Sequence, residues 1–219
     1  RSSSSAASDV YKRQLFSMEG TTAPIKEISK LCIEYDSKLL IDEAHAFGVM
    51  GSAGRGESFE LKEPISIVSG TFGKAFGSGG AFLATDKITG KNLIQNCGAF
   101  RYTTALAPPL CASALAALNL IKSNPNWGSE LKEKSKALRD RLSQVGWQRP
   151  AGEGPIISII LGSDRLAMDY QERLEAQGLL TVAIRPPTVP EGKSRLRLVI
   201  RRNTPDQAFE RLIEILKNK

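Results

Sequence analysis

The chain has one histidine, three cysteines and only 6% aromatic residues among its 219 positions. Each shortage closes off a class of function. With His45 alone, and with Cys32, Cys97 and Cys111 in no C-x-x-C arrangement, no ligand set of familiar metal spacing can be assembled, so no metal is expected. The same cysteines read as reduced, structural thiols of a cytoplasmic protein. Residues 1–14 hold no apolar stretch that could serve as a signal or transmembrane segment, and a membrane is not an expected partner. The net charge of +7 is mild, and its basic residues are scattered instead of interleaved with aromatics, which argues against nucleic acid as a partner. There is no internal repeat.

What is present is concentrated in two places. The apolar residues 39–41 run into Asp42-Glu43-Ala44-His45, and the apolar residues 65–68 run into Ser69-Gly70-Thr71-Phe72-Gly73-Lys74. Short branched-chain runs bounded by polar residues and glycine read as strands of a parallel sheet buried on both faces. In open α/β sheets ligands gather beyond the carboxyl ends of the strands, where Asp42, His45, Thr71 and Lys74 would meet. A carboxylate buried there calls for a cationic partner, and a protonated pyridine nitrogen is one. Lys74 supplies an amine for a Schiff base, with burial expected to lower the pKa of its ammonium. Thr71 is placed to donate to a phosphate, and Gly73, Gly77, Gly79 and Gly80 let the backbone pass close to a bulky ring. This is the layout of a pyridoxal 5'-phosphate site.

The letters DEAH also spell a helicase motif, but that reading needs an upstream G-x-x-x-x-G-K-[ST] loop, and the chain has none. Taken singly, Asp42 with His45 would pass for an ordinary hydrogen-bonded pair and Lys74 for a solvated lysine. Their joint spacing makes the case.

From residue 15 onward the chain resembles the α-oxoamine synthases. These pyridoxal phosphate enzymes of aspartate aminotransferase-type fold condense an amino acid with an acyl thioester. The likeness runs through Phe16-Ser17-Met18-Glu19-Gly20, Asp42-Glu43-Ala44-His45, Gly54-Arg55-Gly56, Thr71-Phe72-Gly73-Lys74, Tyr102-Thr103-Thr104 and Ala183-Ile184-Arg185-Pro186-Pro187-Thr188-Val189-Pro190. It implies an α/β chain of fold type I, with an incomplete mixed or parallel large-domain sheet and an α+β small domain at the C-terminus. The resemblance assigns Lys74, Asp42 and His45 to catalysis, sets His45 and Ser17 near the cofactor's ring oxygen, and gives Arg197 the substrate carboxylate. It sets Thr188 beside the substrate and makes Thr103 and Thr104 reach the phosphate of a neighbouring subunit, which implies a homodimer with shared sites. Arg195 lies on the same strand face as Arg197, so the choice between them rests on the family. One departure stands out: the family usually continues after residue 200 with small residues and a histidine, where this chain has Arg201-Arg202-Asn203. The segment 183–190 with Arg195 to Leu198 points to the branch that joins L-alanine to a pimeloyl thioester, carried by coenzyme A or a carrier protein, in biotin synthesis. Sister synthases that use glycine or serine are the alternative.

Residues 1–14 match nothing in that family. The run from Ser4 to Gln14 reads as an in-frame translated sequencing adapter, to be set aside as a non-native leader. The expected organisation is therefore leader 1–14, the later part of the cofactor domain over 15–121, and a small domain over 122–219. The resemblance puts the family's ring-stacking histidine ahead of residue 15, so this stretch by itself is expected to be inactive. Helices are expected near 112–122, 128–144, 166–176 and 209–217, and strands near 156–161, 180–184 and 196–200.

Overall fold

The computed structural model describes residues 9–13 and 15–217. They form two units, one centred on Thr22–Gly128 and taking in Leu15 and the first strand, the other made of Phe16–Thr21 and Ser129–Lys219.

The first unit is built on a four-stranded sheet in the order β1 (Asp9–Arg13), β2 (Lys38–Asp42), β3 (Ile67–Thr71), β4 (Ala81–Thr85). The pairs β1·β2 and β2·β3 are parallel and β3·β4 is antiparallel, which makes the sheet mixed. Helix α1 (Ile25–Glu34) precedes β2, and α2 (Lys87–Asn96), the single turn α3 (Gly98–Arg101) and α4 (Pro108–Ser123) follow β4. Pro108 stands in the first turn of α4, where its missing N–H costs nothing.

Strand β2 carries the core, with Leu39 and Ile41 buried. Strand β3 departs from expectation: only Gly70 is buried and its other residues are half-exposed, so it is not covered on both faces. Of the leader, residues 1–8 and 14 lie outside the described residues. The backbone of Asp9–Arg13 pairs with β2 in parallel, so this part of the expected leader forms an edge strand of the sheet.

In the second unit α5 (Trp127–Gln144), α6 (Asp164–Ala176) and α7 (Asp206–Lys217) accompany an antiparallel sheet of β5 (Ile156–Gly162), β7 (Ser194–Val199) and β6 (Val182–Ile184), with β7 central. Leu138, Leu142, Ile157, Leu174, Leu196 and Leu216 are fully enclosed. Alternation along β7 buries Leu196 and Leu198 on one face and sets Arg195 and Arg197 on the other. Arg139 of α5 is buried too, donating through Nη2 to the carbonyls of Gly154 and Ile156, both at 2.8 Å. Burial, the largest influence, and the nearby Arg149 cation lower its pKa to about 10.

Candidate active site

In the first unit β2 and β3 run side by side with Asp42 opposite Ser69, so the residues just beyond each strand emerge at one edge of the sheet. Asp42 closes β2 in a buried position, and its Oδ1 accepts the amide of Ala44 at 2.8 Å. This aspartate turn swings the chain into 43–50 and leaves His45 half-buried. Lys74 lies three residues beyond β3, in a tight turn where the amide of Ser78 bonds back to the carbonyl of Phe72 at 2.8 Å.

The two turns are locked to each other by aromatic rings. Phe47 stacks on Phe76 with centroids 4.8 Å apart, and meets Phe72 and Phe82 edge-on at 6.5 and 5.1 Å. No sequence period marks this cluster, since its members sit on three different segments. Its effect is to hold the Asp42 turn and the Lys74 turn as one body.

Two expectations are corrected by the geometry. Lys74 is exposed, not buried, because Phe76 takes the inward position of that turn. Thr71 does not present a spare proton: its hydroxyl donates to the carbonyl of Gly80 at 3.1 Å while accepting the amide of Gly73, also at 3.1 Å. Donation to a phosphate requires that first bond to be exchanged. Thr103 and Thr104 lie exposed in the irregular stretch before α4.

Glu43, to which no motif assigns a role, is the most enclosed carboxyl of this unit. Its Oε1 accepts the amide of Ser58 at 2.8 Å, while Oε2 is buried with no hydrogen-bond partner among the described residues. Burial, the largest influence, raises its pKa above the ordinary glutamate value. Gly56, at φ +86°, lies against this carboxyl, and a Cβ there would come within 2.9 Å of it. Gly56 thus serves a close packing onto Glu43, while Gly54 packs against the backbone of Gly48.

In the second unit the structure separates the two candidate arginines. Arg195 is nearly enclosed, with Nη1 3.1 Å from Glu19 Oε1 and Nε donating to the carbonyl of Lys193 at 3.1 Å. Arg197 is half-buried, and only its Nε is engaged, by the carbonyl of Ser17 at 2.6 Å. Its Nη1 and Nη2 meet no partner among the described residues. Desolvation lowers its pKa, with no carboxylate beside it to compensate. Thr188 is exposed, in a turn where its amide bonds to the carbonyl of Arg185 at 3.0 Å.

The family profile described as aminotransferase class I and II matches residues 7–216. The chain belongs to that family. It is 37% identical over 205 residues to 8-amino-7-oxononanoate synthase of Lysinibacillus sphaericus, covering 93% of this chain and 53% of that protein. Among solved structures it resembles serine palmitoyltransferase of Sphingomonas wittichii, with a TM-score of 0.90, 26% identity and coverage of 97% and 54%. It also resembles 8-amino-7-oxononanoate synthase of Francisella tularensis, with a TM-score of 0.84, 26% identity and coverage of 98% and 63%. One SPT structure among these relatives was solved with PLP. The chain spans about half the length of the curated relatives it matches. These are α-oxoamine synthases, and the fold is the pyridoxal phosphate fold type I expected from the sequence. Among the described residues no group could hold a metal ion, and no helix is long and apolar enough to cross a membrane.

The donor set of the first unit fits pyridoxal phosphate. A buried carboxylate ending one strand and an exposed primary amine just past its parallel neighbour are what a pyridinium nitrogen and an aldehyde require. The aromatic cluster keeps the two in a fixed relation.

Proposed function

We propose that this chain carries part of an 8-amino-7-oxononanoate synthase, which joins L-alanine to the acyl group of a pimeloyl thioester with release of the thiol and of carbon dioxide. The observation that carries the cofactor part is that buried Asp42 closes one strand while Lys74 follows just beyond the end of its parallel neighbour. The substrate choice rests on the name shared by the curated relatives.

Pyridoxal phosphate, when bound, supplies an electron sink for a carbanion at the α-carbon of the amino acid. Asp42, as a carboxylate in a dry position, holds the proton on the ring nitrogen. His45 and Ser17 serve the ring oxygen. The Lys74 amine anchors the cofactor and then moves the α-proton, which its exposed turn leaves room to do. Arg197 holds the alanine carboxylate through the fork formed by Nη1 and Nη2, the two nitrogens not engaged by the protein. Thr188 borders the acyl chain, and Thr103 and Thr104 serve the phosphate of a second subunit in a homodimer.

Borohydride reduction of the PLP-treated protein followed by peptide mapping is expected to place the pyridoxyl group on Lys74, and Lys74→Ala to remove it. A label on another lysine overturns the cofactor assignment. In the full-length enzyme, faster turnover of serine with palmitoyl-CoA or of glycine with acetyl-CoA than of alanine with pimeloyl-CoA would move the substrate assignment to a sister synthase. The likeness to serine palmitoyltransferase makes that comparison the necessary control.

A further inference from the structure

Residues 16–21 sit in the second unit although the chain around them belongs to the first. They lie on the arginine face of the β5·β7·β6 sheet and are tied to it at each step. Arg197 Nε donates to the carbonyl of Ser17, Ser158 Oγ donates to that of Met18, and Arg195 pairs with the carboxylate of Glu19. Gly20, at φ +72°, rests so closely on the carbonyl of Ile156 that no side chain fits between them. Within the segment the amide of Phe16 bonds to the carbonyl of Thr21 at 2.9 Å, and the amide of Gly20 to that of Phe16 at 2.8 Å.

We infer that residues 16–21 form a strap that orients Arg197, and that Glu19 and Arg195 are its fastener and therefore positioning residues for carboxylate binding. This rests on the proposal that Arg197 holds the substrate carboxylate. The geometry has a specific consequence. A guanidinium can receive a carboxylate along its Nε–Nη2 side or end-on through Nη1 and Nη2. The Ser17 carbonyl occupies Nε, so only the end-on approach stays open, and the plane of the fork is fixed by where the strap holds that carbonyl. The strap cannot be held by its own contacts alone, being six residues long, so its position depends on the sheet. Arg195 is nearly enclosed while the Glu19 side chain is half-exposed. The buried cation is thus anchored and the glutamate is the detachable end.

Simple field effects and positioning make opposite forecasts for Glu19→Ala. Removing a negative charge near Arg197 would strengthen its hold on an anion. Releasing the strap would weaken it. The test uses the 219-residue chain loaded with PLP, with L-alanine and L-alaninamide as paired probes, because the amide lacks the carboxylate. Glu19→Ala is expected to raise hydrogen exchange at the amides of residues 16 and 20 at least tenfold and to weaken L-alanine binding about five- to tenfold. L-alaninamide binding and exchange in β5 and β7 should stay unchanged. Glu19→Gln, which keeps an acceptor for Arg195 Nη1, should fall between. Unchanged exchange overturns the strap, and released exchange with L-alanine affinity unchanged or improved overturns its positioning role. A wild-type chain that binds neither probe while its strap is released by Glu19→Ala reduces the strap to a structural clamp, again overturning the positioning role. Failure of the cofactor reading shows separately, as the absence of a pyridoxyl label on Lys74.

Discussion

The two units use similar numbers of helices to different effect. In the second, α7 lays Phe209, Leu212, Ile213 and Leu216 on one buried stripe, and α5 and α6 do likewise. In the first, α2 and α3 bury nothing and the sixteen-residue α4, apolar nearly all round, buries only Ala114. Ile88, Tyr102, Leu115 and Leu120 are more than half exposed. A helix apolar on all sides is a core helix by composition, so the first unit presents a surface made for burial. Most stability comes from burying such faces, and the second unit should be the firmer of the two. The proposed cofactor groups stand on the less enclosed unit, where an aromatic cluster and one buried glutamate take the place of a deep core.

The largest effects should follow that divide. Leu142→Ala, at a fully enclosed site of the second unit, is expected to cost about 2 to 5 kcal/mol, against under about 0.5 kcal/mol for Leu115→Ala on the exposed side of α4. Chemical denaturation of both variants checks this. Equal costs would mean that α4 is covered in solution, and the contrast between the units would fail. Phe76→Ala, which removes the buried member of the aromatic cluster, should cost about 3 to 5 kcal/mol and also loosen the Lys74 turn.

A smaller effect is set by Glu43 and has a definite sign. Its folded pKa is raised, so the folded chain binds this proton more tightly than the unfolded one. That contribution to stability is complete below the ordinary glutamate pKa and is lost as pH rises through the raised value. Glu43→Gln keeps the acceptor for the Ser58 amide and removes the titration. The wild-type chain should therefore lose stability relative to the variant as pH climbs, read as the difference between their denaturation midpoints at each pH. A parallel response of the two would place an ionised Glu43 in the fold and remove it as a buried neutral clamp.

Much of the fold and the site is legible in sequence because it is local. The apolar runs ahead of Asp42 and Thr71 mark β2 and β3, and the periodicity of 206–217 marks α7. The likeness that identifies the family lies in contiguous motifs. What escapes is non-local. Nothing in Ser69 to Gly77 announces that Phe76 takes the inward position and leaves Lys74 outside. Nor do Arg195 and Arg197 differ by pattern, being two residues apart on one strand. They differ because Glu19, 176 positions earlier, pairs with the first. Glu43 is hidden by its neighbours: it sits in the middle of a motif whose chemistry points to Asp42 and His45, and its packing against Gly56 has no sequence signal.

The finest test of the comparison between units lies in two helix caps. Asp86 caps α2, its carboxylate accepting the amides of Ile88 and Thr89 at 2.8 and 3.0 Å and the Thr89 hydroxyl at 2.6 Å. Ser163 caps α6 through a single bond to the amide of Leu166 at 3.2 Å. By hydrogen bonds alone α2 has the better cap, yet it buries no residue, whereas α6 buries Ala167, Tyr170 and Leu174. A helix without a buried face depends on its ends, so Asp86→Ala should fray α2 locally, seen as faster hydrogen exchange in residues 88–91. Ser163→Ala should lower overall stability by about 1 kcal/mol and leave exchange inside α6 unchanged. The Thr89 hydroxyl, chiefly, lowers the Asp86 pKa, so its contribution is present above the ordinary aspartate pKa and is lost as pH falls through the lowered one, opposite in sense to Glu43. If α2 exchange is as slow in Asp86→Ala as in the wild type, that helix is held by something other than its cap, and its exposed apolar residues are the first place to look.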